Sequence, residues 1–199
     1  MIEPKVRYLS QRDNINPFTS KLEPSSQCMV ASFTMIMNWL GDKYNKEELS
    51  KQFNEFLELT LVGKNSKEVE SRRYNSYNHA EICNAYIKHI KAPLNVFFKS
   101  GVFSYDEIKK ISEIKKSPLI VGSMITHHGH IIVYTGNDSW NDPYGFANEQ
   151  GQYIDKNGEG VKYSENFCRN FIFREVDPNT KLTSKANTKR TCWYIEGIE

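Results

Sequence analysis

Residues 28–40 read CMVASFTMIMNWL, and the interpretation of the whole chain begins from this stretch. It is apolar on nearly all sides, and Gly41 is placed to end it, which is typical of a helix buried inside a core. Cys28 stands at the first turn of this predicted helix, where unpaired backbone N–H groups and the helix dipole favour an anion. A thiolate is such an anion, so this position can lower the pKa of a cysteine below about 8.5. The alternative interpretation is an inert packing cysteine.

The composition excludes several classes of protein. The chain has 199 residues with 26 basic and 24 acidic side chains, so no large positive field is available to bind nucleic acid. With 39% hydrophobic and 13% aromatic residues it is not a disordered segment. Its four cysteines are scattered, which argues against a disulfide scaffold and against a paired-cysteine zinc or redox site. We expect one domain over residues 1–199.

The first residues do not resemble an export signal. Residues 1–7 contain Glu3 and Pro4, where a signal peptide would have a basic region followed by an apolar run. Two uncharged stretches, residues 24–41 and 117–137, are too short or too polar to cross about 30 Å of hydrocarbon. We therefore expect synthesis in the cytoplasm and no membrane span.

Helical signals precede strand signals along the chain, which favours an α+β fold. Residues 1–27 should be irregular, and residues 63–78 and 177–190 should be surface loops. After the first helix, three capping boxes predict further helices beginning at Asn45 with Glu48, at Asn78 with Glu81, and at Ser104 with Glu107. Short apolar or β-branched runs predict strands over residues 119–125, 131–135, 160–163, 170–174 and 192–195.

A cluster of histidines precedes one of these strands. Thr126-His127-His128-Gly129-His130 leads directly into residues 131–135. A cysteine nucleophile needs a base that takes its proton and later returns one, and histidine is the usual choice. Each of the three histidines could instead be a solvated turn residue. A metal-dependent hydrolase built on His127, His128 and His130 is a further alternative, although no carboxylate or cysteine follows at ligand spacing.

The next motif, Trp140-Asn141-Asp142-Pro143-Tyr144-Gly145, supplies an amide and a carboxylate that could orient the base. These residue types also form ordinary turns. If residues 136–137 close a hairpin, the residue numbers of two paired positions add up to about 272. This would place residue 142 opposite His130. A bulge or a one-residue slip would select Asn141 in place of Asp142.

Taken together, these motifs resemble those of papain-like cysteine peptidases of the family-39 type. The resemblance rests on Cys28 heading an apolar helix that closes in Asn38-Trp39-Leu40-Gly41, on Gly129-His130 entering residues 131–136, and on Asn141-Asp142-Pro143. It spans roughly residues 8–145. The best-known members process bacteriocin precursors after a double glycine, and stand-alone relatives occur in bacteria and phages.

The resemblance implies a papain-like fold, with a helical half carrying Cys28 and an antiparallel sheet half carrying His130 and Asp142 on opposite sides of a cleft. It also implies an oxyanion-hole glutamine beside the Cys28 amide. Gln11 fits the opening motif of the family, and Gln27 is the alternative.

The expected activity is hydrolysis of a peptide or amide bond through a Cys28–His130–Asp142 triad and a thioester, with no cofactor and no metal. Expected substrates are peptides of peptidoglycan, in a phage-associated or cell-wall role, or a specific protein. The same site could serve an acyltransferase, or persist as an incomplete binding or inhibitory module.

The other three cysteines have no comparable surroundings. Cys83 lies beside the predicted stripe of Ile82 and Tyr86, Cys168 follows Phe167, and Cys192 precedes Trp193. We interpret all three as packing residues, so that Cys28 is the single candidate nucleophile.

Overall fold

A five-stranded antiparallel sheet lies at the centre of the computed structural model, which describes residues 2–12, 27–47, 49, 76–90 and 95–197. The helices are α1 (Cys28–Tyr44), α2 (Ser76–His89), α3 (Tyr105–Lys115) and the single turn α4 (Glu165–Phe167), which runs into a π-helical turn over Cys168–Ile172. The strands are β1 (Phe97–Phe103), β2 (Leu119–Ser123), β3 (His130–Gly136), β4 (Ser139–Asn141), β5 (Phe146–Ala147), β6 (Tyr153–Asp155), β7 (Glu175–Val176), β8 (Thr183–Lys185) and β9 (Arg190–Glu196).

The central sheet has the strand order β1-β9-β2-β3-β4, while β5–β6 and β7–β8 form two small separate sheets. Strand β9 therefore lies between β1 and β2, although it comes last in the chain. All the pairings are antiparallel. Together with the helices, this arrangement confirms the predicted α+β, papain-like class.

Strands β2 and β3 are largely buried on both faces, because their side chains point alternately into two separate hydrophobic cores. In β2, Ile120 packs into the core that contains α1 and α2, whereas Leu119 and Val121 pack into the core that contains α3 and α4. In β3, Val133 packs into the first of these cores and Ile132 into the second. Burial on both faces explains why these strands read as continuous apolar runs.

Helix α1 is the buried helix that the apolar stretch predicted. Its side chains from Met29 to Met37 are all buried, and the Trp39 indole donates a 2.9 Å hydrogen bond to the Pro4 carbonyl. The predicted end at Gly41 is wrong, since Gly41 is a buried helical residue. Asn45 ends the helix with a φ of 53°, and asparagine tolerates this left-handed conformation well.

Asn45 was also predicted to start the following helix, and this is wrong because it caps the end of α1. Glu48, its expected partner, and the rest of that predicted helix over residues 50–57 lie outside the described residues, as does most of the predicted loop over residues 63–78. The helix expected to begin at Asn78 begins at Ser76. The irregular start of the chain is confirmed for residues 2–12.

The helix predicted from Ser104 is confirmed with its capping box. The Ser104 hydroxyl accepts a hydrogen bond from the Glu107 N–H, and the Glu107 carboxylate accepts one from the Ser104 N–H. Helix α3 ends at Lys115, just before the proline at 118 that excludes a longer helix.

Two predicted strands are wrong. Residues 160–163 contribute one isolated bridge, between Val161 and Trp140. Residues 170–172 belong to the π-helical turn that continues the turn capped by Ser164, and residues 173–174 follow it outside any strand. The predicted loop over residues 177–190 contains β8, and β1 was not predicted at all.

The strands predicted over residues 119–125, 131–135 and 192–195 are confirmed as β2, β3 and β9. The hairpin register differs from the prediction that the numbers of paired residues sum to about 272. Tyr134 pairs with Trp140, which gives a sum of 274. A bulge follows before Gly136 pairs with Ser139. Asn137 and Asp138 both have positive φ and form the turn, which lies one residue later than expected.

No helix within the described ranges is long and apolar enough to cross a membrane.

We predict that Asn84→Ala destabilises the fold, because Asn84 closes the outer edge of β1. Its side-chain amide donates to the Phe98 carbonyl at 2.9 Å and accepts from the Phe98 N–H at 2.6 Å. The substitution should lower the free energy of unfolding in urea by about 1–3 kcal/mol, since it leaves two partly buried backbone groups without partners. The control Asn179→Ala, at an exposed position, should change it by less than about 0.5 kcal/mol. Equal effects of the two substitutions would contradict this role for Asn84.

Candidate active site

Cys28 is the first residue of α1, as predicted, with Gln27 at the N-cap position. Its side chain is partly exposed, whereas the other three cysteines are buried. The N–H groups of the first helical turn lie close to the thiol and have no partners within the helix. The thiol thus lies at a position that is both accessible and favourable for negative charge.

His130 is the first residue of β3 and pairs with Ser123 of β2. The sheet therefore fixes the backbone of His130, and only 6% of the residue is exposed. Its Nε2 lies 2.7 Å from Oδ1 of Asp142. Since a carboxylate only accepts hydrogen bonds, Nε2 carries a proton, and Nδ1 is the ring nitrogen left to face Cys28.

The first turns of α1 lie against the start of β3. The Ser32 hydroxyl, one helical turn beyond Cys28, donates a 3.0 Å hydrogen bond to the Ile131 carbonyl. This bond ties the helix to the strand next to His130, so that the charge of His130 acts on the Cys28 thiol. The structure therefore brings together two residues that are 102 positions apart in the chain.

The carboxylate of Asp142 is fully buried and accepts four hydrogen bonds. Oδ1 accepts from His130 and from the Tyr144 N–H at 3.0 Å, and Oδ2 accepts from the hydroxyls of Tyr153 at 2.9 Å and Tyr163 at 3.2 Å. A buried charge needs such a complete set of donors to remain ionised.

Of the two residues left open by the sequence, Asp142 contacts His130 and Asn141 does not. The Asn141 side chain points to the other side of the hairpin, where it donates to the Val6 carbonyl at 3.2 Å and accepts from the Gly160 N–H at 2.9 Å. Adjacent residues of a strand point to opposite faces, which separates the two side chains.

Three tyrosines around this pair were missed by the sequence interpretation. The rings of Tyr144 and Tyr153 contact the His130 ring edge-on, with centroid distances of 6.2 and 6.1 Å. Tyr153 and Tyr163 also bind Asp142. Tyr144 belongs to the quoted turn motif and could have been noticed there, but no local pattern indicates the contacts of Tyr153 on β6 or of Tyr163.

The electrostatics of the site favour a thiolate–imidazolium pair. Burial raises the pKa of the Cys28 thiol, but the hydrogen bond and charge of His130, with the N–H groups of Ile131 and Met29, more than offset this and hold the pKa below its usual value. Burial also lowers the pKa of His130, but the charge and hydrogen bond of Asp142, with those of Cys28, raise it above its usual value. The proton is therefore favoured on the imidazole.

The three remaining cysteines differ in this respect. Burial raises the pKa of Cys83 and of Cys168, and it raises that of Cys192 despite the nearby charge of Arg190. They pack in the two cores, which agrees with the sequence interpretation.

Both candidate glutamines are buried near the site. Gln27 precedes Cys28 directly, and its carbonyl accepts the Ala31 N–H at 2.9 Å as the first bond of α1. Gln11 is held by its backbone, which donates a 2.8 Å hydrogen bond to the Pro143 carbonyl next to Asp142.

The other two histidines of the cluster, His127 and His128, are exposed at the turn before β3. Among the residues that the structure describes, no group of three or more His, Cys, Asp or Glu side chains is arranged to hold a metal ion.

We predict that Cys28 is alkylated selectively by iodoacetamide at pH 6. Only thiolates react, and an ordinary thiol with a pKa of about 8.5 is almost wholly protonated at that pH. His130→Ala removes the cation that favours the thiolate, so the labelling curve should move to higher pH, with about a tenfold slower rate at pH 6 for each unit of pKa gained. Asp142→Asn should move it in the same direction, because the imidazolium loses its counter-charge.

Labelling is measured by mass spectrometry of peptides from the folded protein, with His128→Ala as the matched control. Equal labelling of all four cysteines, or an unchanged curve in His130→Ala, would contradict the proposed ion pair.

Comparison with known protein families identifies the family of this chain. The Peptidase_C39 like family matches residues 3–168, a segment that includes Cys28, His130 and Asp142. Comparisons with curated proteins and with solved structures gave no significant match. The matched segment covers well over half of the chain and supports the class of cysteine peptidase. The chain belongs to the Peptidase_C39 like family.

Proposed function

We propose that this protein hydrolyses a peptide or amide bond with Cys28 as the nucleophile. The observation that carries the proposal is that Cys28, at the N-terminus of a buried helix, lies beside the start of the strand that carries His130, whose Nε2 is bound to the buried Asp142. A nucleophile, a base and a group that orients the base therefore follow one another in space.

In the first half of the reaction the Cys28 thiolate attacks the carbonyl carbon and a tetrahedral oxyanion forms. The His130 imidazolium then donates its Nδ1 proton to the amide nitrogen. The C–N bond breaks, the amine leaves, and the acyl group remains on Cys28 as a thioester.

In the second half His130, now neutral, takes a proton from water as the water oxygen attacks the thioester. The C–S bond breaks, the carboxylic acid leaves, and the thiolate–imidazolium pair is restored. An amine in place of water would make the same site an acyltransferase.

Asp142 keeps the His130 ring in the orientation that directs Nδ1 at the sulfur. Because Asp142 also accepts hydrogen bonds from Tyr153 and Tyr163, its own position is fixed. The negative charge of Asp142 stabilises the imidazolium that carries the proton between the two steps.

The oxyanion is proposed to lie between the Cys28 N–H and the side-chain amide of Gln11. The bond from the Gln11 backbone to Pro143 supports this choice over Gln27, because it holds Gln11 on the His130–Asp142 side of the site. Each donor of this kind lowers the barrier by roughly 3 kcal/mol in comparable enzymes.

The proposed substrate is a peptide, either within a protein or in the stem or cross-link of peptidoglycan. We further propose that residues 1–199 act as one papain-like unit. In support, β9 completes the central sheet between β1 and β2 even though it lies beyond the matched residues 3–168.

The decisive experiment measures hydrolysis of a set of fluorogenic peptide amides and of purified peptidoglycan by the full chain. We predict that the wild type releases new amino groups from at least one of these substrates. Cys28→Ala and His130→Ala should lose at least about a thousandfold in rate, since each removes a member of the triad. His128→Ala, a substitution of the same residue type at an exposed position two residues away, should retain full activity.

Three outcomes would oppose the proposal. Cys28→Ala with wild-type activity excludes the thioester, and activity that is lost on chelation supports the metal-dependent alternative. Selective labelling of Cys28 with no turnover of any substrate supports a binding module. Clearing of a cell-wall suspension, as against cleavage of soluble peptides only, separates the two substrate classes.

A second prediction separates the two glutamines. If Gln11 stabilises the oxyanion, Gln11→Ala should lower kcat by about a hundredfold or more and change KM little. Gln27→Ala should have a smaller effect on kcat. The melting temperatures of both variants serve as the control for folding, and a larger loss of kcat in Gln27→Ala would reverse the assignment.

A further inference from the structure

One arginine beside the site has no acidic partner among the described residues. Arg12 follows Gln11, and its guanidinium carbon is 3.8 Å from the centroid of the Tyr144 ring. The edge of the same tyrosine contacts His130. A single aromatic ring therefore separates the guanidinium from the imidazole.

Arg12 differs from the other arginines that the structure describes. Arg7 pairs with Asp42, and Arg169 pairs with Asp106 and Glu165. Arg174 is buried, and both Arg174 and Arg190 donate to backbone carbonyls.

No carboxylate of the described residues pairs with Arg12. Its Nε is buried and has no hydrogen-bond partner there, and its two terminal nitrogens have none either, while the side chain as a whole is partly exposed. A charged donor next to the reacting groups is thus available to a ligand.

We propose that Arg12 binds a carboxylate of the substrate close to the scissile bond and so selects acidic peptides. This inference rests on the proposed function, because it names the substrate class of the same site. A guanidinium presents two parallel N–H groups that match the two oxygens of a carboxylate. Stacking on Tyr144 holds the group in place before the substrate arrives, which reduces the entropy lost on binding.

The distance and the charge both agree with this role. An extended peptide advances by about 3.3–3.6 Å per residue, so a group one ring away from His130 lies beside the residues next to the scissile bond. Asp142 is the carboxylate of the same site, and its oxygens are already occupied by four donors. It therefore does not compete with the substrate for Arg12.

The carboxylate could belong to an acidic side chain or to a free C-terminus of the substrate. Two pairs of alkylating reagents distinguish these sources, and within each pair one reagent has a carboxylate where the other has an amide. The first pair is N-bromoacetyl-glutamic acid α-amide and N-bromoacetyl-glutamine α-amide. The second pair is N-bromoacetyl-glycine and N-bromoacetyl-glycinamide. The measured quantity is the ratio of the two rates of Cys28 alkylation within each pair, in the full chain.

We expect the carboxylate reagent of at least one pair to react about tenfold faster than its amide in the wild type, as one charge-assisted hydrogen bond allows. In Arg12→Gln this ratio should fall to nearly one, because glutamine carries no charge that distinguishes the carboxylate from the amide. Arg12→Lys should keep part of the preference, because the charge remains and the paired geometry is lost. Arg7→Gln is the matched control and should keep the whole preference, since Arg7 pairs with Asp42 in the last turn of α1, at the opposite end from Cys28.

A ratio near one in the wild type, or an unchanged ratio in Arg12→Gln, would overturn the inference. Alkylation requires no turnover, so this result is independent of hydrolysis. A preference that depends on Arg12 without any hydrolysis would refute the proposed function alone. Hydrolysis of peptides with no preference in either reagent pair would refute the role of Arg12 alone.

Discussion

The contact between the first turns of α1 and the start of β3 is the constraint on which the rest of the structure depends. The Ser32–Ile131 hydrogen bond lies at this contact, with Cys28 one helical turn before Ser32 and His130 directly before Ile131. Because α1 is buried on nearly all sides, neither element can shift without disturbing the core. The proposed site is therefore assembled before a substrate arrives, and in the proposed reaction little reorganisation is needed when charge moves from sulfur to substrate.

A buried aspartate is costly unless it is satisfied, and here four donors offset that cost. The small sheet of β5 and β6 brings one of them, Tyr153, to the carboxylate, and Tyr163 comes from the segment beyond it. Burial and the charge of Asp142 raise the pKa of both tyrosines, so their hydroxyls remain protonated donors over the range in which a peptidase works. The region after β4 thus supports the site although it contributes no reacting group.

The sequence predicted those features whose causes are local. The apolar run of α1, the Ser104 capping box and the β2–β3 pair each depend on residues close together in the chain. The candidate triad could also be predicted, because each member adjoins a recognisable helix start, strand start or turn. The contacts of Ser32, Tyr153 and Tyr163 could not, since their partners are distant in sequence. Residues 170–174 were misassigned because an apolar run fits a strand and a tight helical turn equally well, whereas the cap at Ser164 indicated the helical choice.

The side chain of Asn84 has a consequence for how peptides can approach this protein. An edge strand with unpaired N–H and C=O groups invites another chain to add as a further strand, which many peptide-binding domains exploit and which also promotes aggregation. On β1 the two outward groups of Phe98 are already occupied by the Asn84 amide, so an extended chain would find its hydrogen-bonding pattern interrupted there. Recruitment of a peptide by strand addition is thus disfavoured along β1, and so is edge-to-edge association of two copies through this strand.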